Sequence, residues 1–199
     1  MNPNEFFSDN FTVKAERNLM KKEKISREKI IEAFLKVSFR KSSSGTALSD
    51  LANELGIKKA SLYNYYENRD AMVSDVLRFC SDSLKEISLS DSQDICDFSV
   101  DLFRVFDSQM NTEILSLIDS EKLFDDLAFT AFEEFKIRLI KLLRHRLKDR
   151  TEFFVGALLF LLVDYVSAKK MMARNGDEIE FSESRIRLVI NSFYLSTET

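Results

Sequence analysis

The chain has 199 residues and a net charge of −4, and it contains only four Gly and one Pro. This length suffices for one or two domains with a sizeable core, and the scarcity of helix-breaking residues favours long helices. Two Cys without a CxxC pair and a single His argue against a zinc site or a disulfide framework.

Residues 1–24 form a basic extension, in which five cations are mixed with three Phe residues. Such an arm can follow a DNA backbone or enter a minor groove. An extension that contacts nothing is the alternative, and the sequence does not decide between them. The segment has no apolar signal region, so we expect a cytoplasmic protein.

The first predicted helix covers residues 27–39. Ile30, Phe34 and Val37 recur at helical spacing and are expected to face inward, and Ser26 is a suitable N-cap. No segment of the chain has the alternation of β-branched residues that predicts a strand. We therefore expect an all-α fold.

Residues 47–66 predict two short helices around a tight turn. Leu51 and Leu55 give the first helix a buried face, and Gly56 supplies the left-handed residue that ends it. Ile57 and Leu62 then hold the second helix against the first, so its polar, basic and aromatic side chains face outward. Such a helix can lie in the DNA major groove. In an ordinary helical domain the same lysines would simply face solvent.

The net charge hides a segregation between the two parts of the chain. Residues 1–80 hold 14 Lys plus Arg against 11 Asp plus Glu, and residues 81–199 hold 15 against 22. Within residues 12–66 the counts are 12 and 6. A positive N-terminal part (residues 1–80, called the head below) joined to an acidic C-terminal part (residues 81–199, called the body) favours attraction to phosphates. Chance asymmetry among solvated helices is the alternative.

The N-terminal part resembles the TetR-type family of bacterial transcriptional regulators. The family pattern appears as IIEAFLKVSF (residues 30–39), TALSDLANELGIKKASLYNYYENRDAM (residues 46–72) and VSDVL (residues 73–77). The motif covers residues 26–80. The matching positions are Thr46, Leu51, Ala52, Gly56, Ile57, Ser61, Leu62 and Tyr63.

This resemblance implies a three-helix helix-turn-helix domain over residues 25–80, joined to a helical effector-binding and dimerisation domain over residues 81–199. It also implies a repressor that binds a palindromic DNA operator as a homodimer and is released by a small ligand. Tyr63 and Arg69 are expected to hold phosphates. The other residues of the expected DNA face are Thr46, Ser49, Lys58, Lys59, Ala60, Ser61, Asn64 and Tyr65.

The chain departs from the family pattern at several positions. Lys58 stands where the family has Ser or Thr to cap the recognition helix, Tyr66 replaces a Phe and Arg69 replaces a Lys. The loop before the motif reads Ser-Ser-Ser over residues 42–44, where relatives have Gly and an aromatic. The operator sequence of relatives therefore cannot be carried over to this chain.

Beyond the motif, a fourth helix is expected to start near Asn68 and to carry an apolar face from Val73 to Ile87. In the family this helix links the DNA-binding head to the body. A polar connector over residues 88–94 follows. Apolar helical patterns then cover residues 95–110, 113–118, 121–147, 152–174 and 184–195.

The last two predicted helices carry broad apolar stripes. Two such helices from each subunit would pack as a four-helix bundle in a homodimer, although packing within one monomer would explain the same stripes. The expected interface residues are Leu158, Leu161, Leu162, Tyr165, Ile186, Val189, Ile190, Phe193 and Tyr194.

An effector cavity, if present, would be lined by apolar residues of the body helices, for which ordinary core packing is the alternative. Asp164 is unusual, because a carboxylate beside an apolar run must be paired, solvated or neutral. It could bind a cationic ligand, or bond to Tyr165 or to an Arg across the dimer. The apolar candidates are Phe98, Leu102, Phe106, Met110, Phe124, Leu127, Phe135 and Phe160.

Other functional classes have less support. The sequence has no Gly-rich phosphate loop, HExxH or nucleophile motif, so we expect neither an enzyme nor a bound cofactor or metal. The longest apolar run, residues 153–163, is shorter than the roughly 20 residues that span a bilayer, so no membrane partner is expected. A helical protein-interaction or membrane-surface module is the alternative, but it does not explain the polar second helix of the motif.

Overall fold

A computed structural model describes residues 25–89 and 94–195, with side chains described as far as residue 192. Within these residues the chain forms α-helices, one 3-10 turn at Lys148–Arg150 and no strand, which confirms the all-α prediction. The basic extension and residues 90–93 of the connector lie outside the described residues. The helices are α1 (Arg27–Arg40), α2 (Leu48–Glu54), α3 (Lys59–Leu62), α4 (Arg69–Glu86), α5 (Ile95–Asp107), α6 (Gln109–Glu121), α7 (Asp126–Leu147), α8 (Thr151–Asn175) and α9 (Glu183–Leu195).

Side-chain caps fix where the helices of the N-terminal part begin. Ser26 Oγ accepts a hydrogen bond from the main-chain N–H of Lys29 at 3.3 Å, and α1 starts one residue after it. Asn68 Oδ1 accepts from the N–H of Ala71 at 2.8 Å at the start of α4. Each cap satisfies an N–H group that has no partner inside its helix. Both predicted helix starts are confirmed.

One continuous hydrophobic core runs through the head and the body. Helix α1 packs against α2 and α4 of the head and also against α6 and α8 of the body. The predicted domain boundary at residue 80 falls inside α4, where the Cys80 side chain is fully buried in this core. The division into two domains stays a prediction, but any movement of the head must also move α4.

The far end of α4 is tied to α7 by Arg138. Its guanidinium donates hydrogen bonds to the carbonyl oxygens of Leu84 at 3.2 Å, of Lys85 at 2.9 Å, and of Ile87. Carbonyl groups in the last turn of a helix have no N–H partner within that helix, and the helix dipole also favours a cation there. Helix α4 is therefore held at one end by the head and at the other by the body.

The helical run Asp126–Asn175 contains an 18-residue window of mean hydropathy 1.6. By length and composition this window could cross a membrane, and 39% of it is buried. The core helix of a water-soluble domain passes the same test. Helix α8 buries seven residues against the rest of the chain, among them Phe154, Val155 and Leu159.

Candidate DNA-binding surface

The helix-turn-helix is built as predicted up to the start of its second helix. Gly56 has φ +63°, in the left-handed region that ends α2 without steric cost to a glycine. The N–H of Ile57 donates to the carbonyl of Ala52 at 2.9 Å, which closes the turn. Leu51 and Leu62 are buried, so α3 is held against α2.

Helix α3 is shorter than the sequence pattern indicates. Regular α-helix covers Lys59–Leu62, and the following residues continue as turns. Lys58 takes the N-cap position in an extended conformation, and its side chain makes no cap hydrogen bond. The replacement of the family's Ser or Thr by Lys58 therefore removes the usual side-chain cap and puts a cation at the start of the helix.

The outward surface of α3 and the turn after it is polar and accessible. Lys58, Lys59, Ala60 and Asn64 are exposed, and Tyr63 keeps 51% of its surface accessible. Ser49 on α2 is exposed, and Ser61 is half-buried. These residues form one surface with two cations, hydroxyl groups, an amide and an aromatic ring, which are the groups that contact phosphates and base edges. We call it the α3 surface.

Two residues of the predicted DNA face make hydrogen bonds within the loop before α2. Thr46 is 1% exposed, and its hydroxyl donates to the carbonyl of Ser42 at 2.7 Å. Arg69 is half-buried and donates to the carbonyls of Ser43 at 2.5 Å and Thr46 at 3.3 Å. The prediction that Thr46 lies on the outer face is wrong, because the residue folds into the loop before α2. Arg69 holds this loop with two of its N–H groups. The phosphate contact that we expected for Arg69 stays a prediction.

Tyr65 also has an internal partner. Its hydroxyl donates to the main-chain carbonyl of Ile25 at 2.6 Å, although 39% of the residue remains exposed. The sequence pattern placed Tyr65 on the DNA face. Its hydroxyl instead joins the end of the helix-turn-helix to the residue just before the α1 cap.

A polar network that the sequence analysis missed holds the end of the motif. The Asp75 carboxylate on α4 accepts two hydrogen bonds of 2.5 Å from the Arg27 guanidinium and one of 2.7 Å from the Tyr66 hydroxyl. Burial acts to raise the pKa of Asp75, but these bonds and the charge of Arg27 outweigh it, so the pKa lies below its ordinary value. Burial, together with the bond to Asp75, raises the pKa of Tyr66 to about 12. The only signal in the sequence was Tyr66 in place of a Phe.

The predicted effector residues do not form one group. Phe98, Leu102, Phe106 and Phe135 are buried together in the body core, with the Phe106 and Phe135 rings edge to face at 5.6 Å. Met110 and Leu127 are half-buried beside that core. Phe124 and Phe160 are 84% and 73% exposed, and Asp164 is also exposed, so these three do not line an interior cavity with the others. An effector site in this core stays a prediction.

The predicted dimer residues are placed differently from the expectation. Leu158, Leu162 and Ile190 are 1% exposed or less, so they belong to the monomer core and cannot reach a partner. Leu161, Ile186 and Tyr165 are half-buried, and the Tyr165 hydroxyl bonds to Asp107 at 2.5 Å. Val189 is 45% exposed. The side chains of Phe193 and Tyr194 lie outside the described residues.

A different apolar face is exposed on the same two helices. It surrounds a groove of about 930 Å³ between α8 and α9. Phe153, Phe160 and Leu188 are 64%, 73% and 68% exposed, and Gly156 lies between the two Phe residues on the same helix face. Together with Val189, these residues form what we call the α8–α9 face. In the part of the chain that the structure describes, no group of three or more His, Cys, Asp or Glu side chains is arranged to hold a metal ion.

We compared the sequence and the fold of the chain with those of known proteins. No family model matches the chain. The biofilm operon icaADBC HTH-type negative transcriptional regulator IcaR of Staphylococcus aureus is 30% identical over 80 residues, which cover 40% of this chain and 42% of that protein. The alignment thus spans less than half of the relative.

The similarity to solved structures extends over most of the chain. A transcriptional regulator from Rhodococcus sp. RHA1 has a TM-score of 0.64 at 12% identity and covers 84% of this chain and 95% of its own. A TetR/AcrR-family regulator from Aquifex aeolicus VF5 has a TM-score of 0.59 at 14% identity, covering 86% and 98%. The multidrug binding protein EbrR, complexed with imidazole, has a TM-score of 0.52 at 18% identity, covering 83% and 93%.

At such identities a structural likeness establishes the fold. The resemblance read from residues 26–80 is confirmed at that level: this chain has the fold of the TetR/AcrR-type transcriptional regulators and carries their N-terminal sequence motif.

Proposed function

We propose that this protein is a cytoplasmic DNA-binding transcriptional repressor that acts as a homodimer and is released from its operator by a small ligand. The α3 surface is the observation that carries the proposal. Buried Leu62 fixes the short helix against α2, and Lys58, Lys59, Tyr63 and Asn64 stay free to face outward in the same small area. A helical protein-interaction module does not require this arrangement.

The relatives support both repression and control by a small ligand. IcaR is described as a negative transcriptional regulator, which supports repression rather than activation. EbrR is described as a multidrug binding protein, which supports a small ligand that controls DNA binding. Neither the operator nor the ligand of these proteins carries over to this chain, because the alignment with IcaR covers 42% of that protein and EbrR is 18% identical.

The α8–α9 face supports a homodimer. Phe153, Phe160 and Leu188 expose large apolar side chains in one contiguous area, and a monomer seldom leaves such a patch open to water. Gly156 has no side chain and the space above it is open, so a second helix can approach the face closely at this point. Two copies would bury the face against itself around a twofold axis. The dimer would then present two α3 surfaces to a palindrome with half-sites about one helical turn apart.

The test is selection of genomic DNA fragments by the purified full-length protein at near-physiological salt, followed by sequencing. The Lys59→Ala/Tyr63→Ala variant removes one cation and one exposed ring from the α3 surface. Lys141→Ala is the control. Lys141 is an exposed residue of α7, about one turn after Arg138, and Arg138 binds the end of α4 that is remote from the head. We expect the wild type and the control to enrich the same short palindrome and the double variant to enrich none.

Two outcomes would contradict the proposal. Weak, salt-sensitive binding with no enriched sequence would indicate non-specific attraction to phosphates. Equal enrichment by the double variant would mean that the α3 surface does not read the DNA. Circular dichroism of each variant checks that the helical fold is retained.

A further inference from the structure

A polar cavity of about 470 Å³ lies where the head meets the body. It opens to solvent on one side and is lined by the end of α1, the corner between α5 and α6, the last turns of α8 and the turn after α8. Its volume is within the range of small-molecule sites. Phe39 is the residue of the head that lines it. We call it the junction cavity, and its charged and polar lining consists of Asp107, Gln109, Lys169, Asp177 and Glu178.

An ammonium group already occupies one side of this cavity. Lys169 Nζ donates to a carboxylate oxygen of Asp107 at 2.7 Å and to the main-chain carbonyl of the same residue at 2.6 Å. The Tyr165 hydroxyl donates to that carboxylate as well. Burial acts to raise the pKa of Asp107, but these hydrogen bonds outweigh it, and the pKa lies below its ordinary value. The corner between α5 and α6 is thus built to accept hydrogen bonds from a primary ammonium.

The turn after α8 adds two carboxylates, those of Asp177 and Glu178, to the lining of the cavity. Asp177 and Glu178 are exposed at the opening, and Lys169 is the cation among the described lining residues. Gly176, with φ +81°, ends α8, and the N–H of Asp177 returns to the carbonyl of Met172 at 3.0 Å. The two carboxylates are therefore attached to an ordered helix end, and their fields add within the cavity.

We propose that the junction cavity binds a small organic amine. One ammonium group would pair with Asp107 in place of Lys169, and a second positive group, where the ligand has one, would lie between Asp177 and Glu178. Gln109 offers an amide for a polar substituent. An anion is disfavoured, since three carboxylates face one ammonium in the lining.

The junction cavity lies between α1 of the head and helices α5, α6 and α8 of the body. A ligand that affects DNA binding would have to shift these helices relative to one another. Arg174, five residues after Lys169 on α8, donates to the carbonyls of Arg40 and Lys41 at the end of α1. Lys170 bonds to Ser116 on α6 at 3.1 Å. Release of Lys169 by an amine would loosen the turns of α8 that hold the head. Amine binding stands independently of the proposed function, and its effect on DNA rests on that function.

The experiment is isothermal titration calorimetry of the full-length protein with 1,4-diaminobutane, with uncharged 1,4-butanediol as the matched probe. We expect saturable binding of the diamine and none of the diol. The Asp177→Asn/Glu178→Gln variant should weaken diamine binding roughly fivefold, because two exposed charge pairs are lost. Lys169→Met should tighten it, because the competing ammonium is gone. A purely structural disturbance would weaken binding in both variants.

The control for the charge change is Asp82→Asn/Glu86→Gln, which removes two exposed carboxylates from α4 and should leave diamine binding unchanged. No saturable heat with the diamine up to about 10 mM, the weak end of small-ligand binding, would overturn the proposal. Equal affinity in the Asp177→Asn/Glu178→Gln variant, or displacement of the diamine by MgCl2 at equal ionic strength, would also overturn it. Operator binding is measured separately, so failure to find an operator leaves this result intact.

Discussion

Arg174, in the last turn of α8, donates a hydrogen bond from its Nε to the main-chain carbonyl of Arg40 at 2.7 Å, across 134 residues of sequence. Its Nη2 reaches the carbonyl of Lys41 at 2.8 Å. The last carbonyls of a helix lack partners within it, and the helix dipole makes that end favourable for a cation. A residue of the body therefore caps the first helix of the head.

The first prediction concerns this cap. Arg174→Ala should lower the free energy of unfolding by about 1 kcal/mol, since two hydrogen bonds at a partly solvated helix end are lost. Arg174→Lys keeps the charge without the two-pronged geometry and should fall between the alanine variant and the wild type. Urea unfolding followed by circular dichroism measures both. Arg185→Ala, at an exposed arginine of α9, is the control, and an equal loss there would refute a specific role for Arg174.

The second prediction concerns the pH dependence that Asp75 gives to the fold. Its pKa is lower in the folded protein than in the unfolded chain, where it is about 3.9. The stabilisation from the ionised carboxylate is therefore fully present above that unfolded-state value and is lost as the pH falls through the lower folded-state pKa. Asp75→Asn should lower the stability by about 2 kcal/mol at pH 7, as hydrogen bonds to a charged group are removed.

The same variant should differ much less from the wild type near pH 2.5, and urea unfolding at the two pH values measures the change. Asp82→Asn, at an exposed carboxylate on the same helix, is the control. A difference between wild type and Asp75→Asn that does not shrink in acid would show that the carboxylate charge is not the source of the stabilisation.

The sequence was sufficient for features that depend on neighbours along the chain. Ser26 and Asn68 begin their helices because a short polar side chain can reach an N–H three residues ahead. Gly56 ends α2 because the turn needs a left-handed residue. Each of these requirements is local, so a pattern of a few residues expresses it fully.

The sequence did not predict the features that depend on contacts between residues far apart in the chain. Residues 153–163 are apolar on every side of their helix, so no periodicity could indicate that Leu158 and Leu162 face inward while Phe153 and Phe160 face outward. Arg69 is a suitable phosphate ligand by its chemistry, but the carbonyls it binds become available only once the loop before α2 folds beside it. Tertiary partners of this kind leave no local pattern.

The third prediction concerns the salt dependence of operator binding. Lys58→Ala and Lys59→Ala each remove one exposed cation from the α3 surface. If each lysine neutralises one phosphate, the slope of the logarithm of the binding constant against the logarithm of salt concentration should become less steep by about one for each variant. Fluorescence anisotropy over a range of NaCl measures the slope. An unchanged slope in both variants would exclude these side chains as phosphate contacts.

The fourth prediction concerns the subunit interface. Phe160→Glu places a charge within the α8–α9 face, where the side chain is 73% exposed in the monomer. The variant should therefore keep its fold but lose the dimer, because an unpaired charge would be buried between the subunits. Phe124→Glu makes the same chemical change at a position that is 84% exposed in the turn between α6 and α7, away from the proposed interface.

Sedimentation velocity at several concentrations separates the possibilities for these two variants. A monomeric Phe160→Glu beside a dimeric Phe124→Glu would assign the interface to the α8–α9 face. Loss of the dimer in Phe124→Glu alone would move the interface to the α6–α7 turn, and a dimeric Phe160→Glu would contradict the assignment. Since two α3 surfaces must bind one palindrome together, the monomeric variant should also lose most of its operator affinity while Lys59 and Tyr63 remain in place.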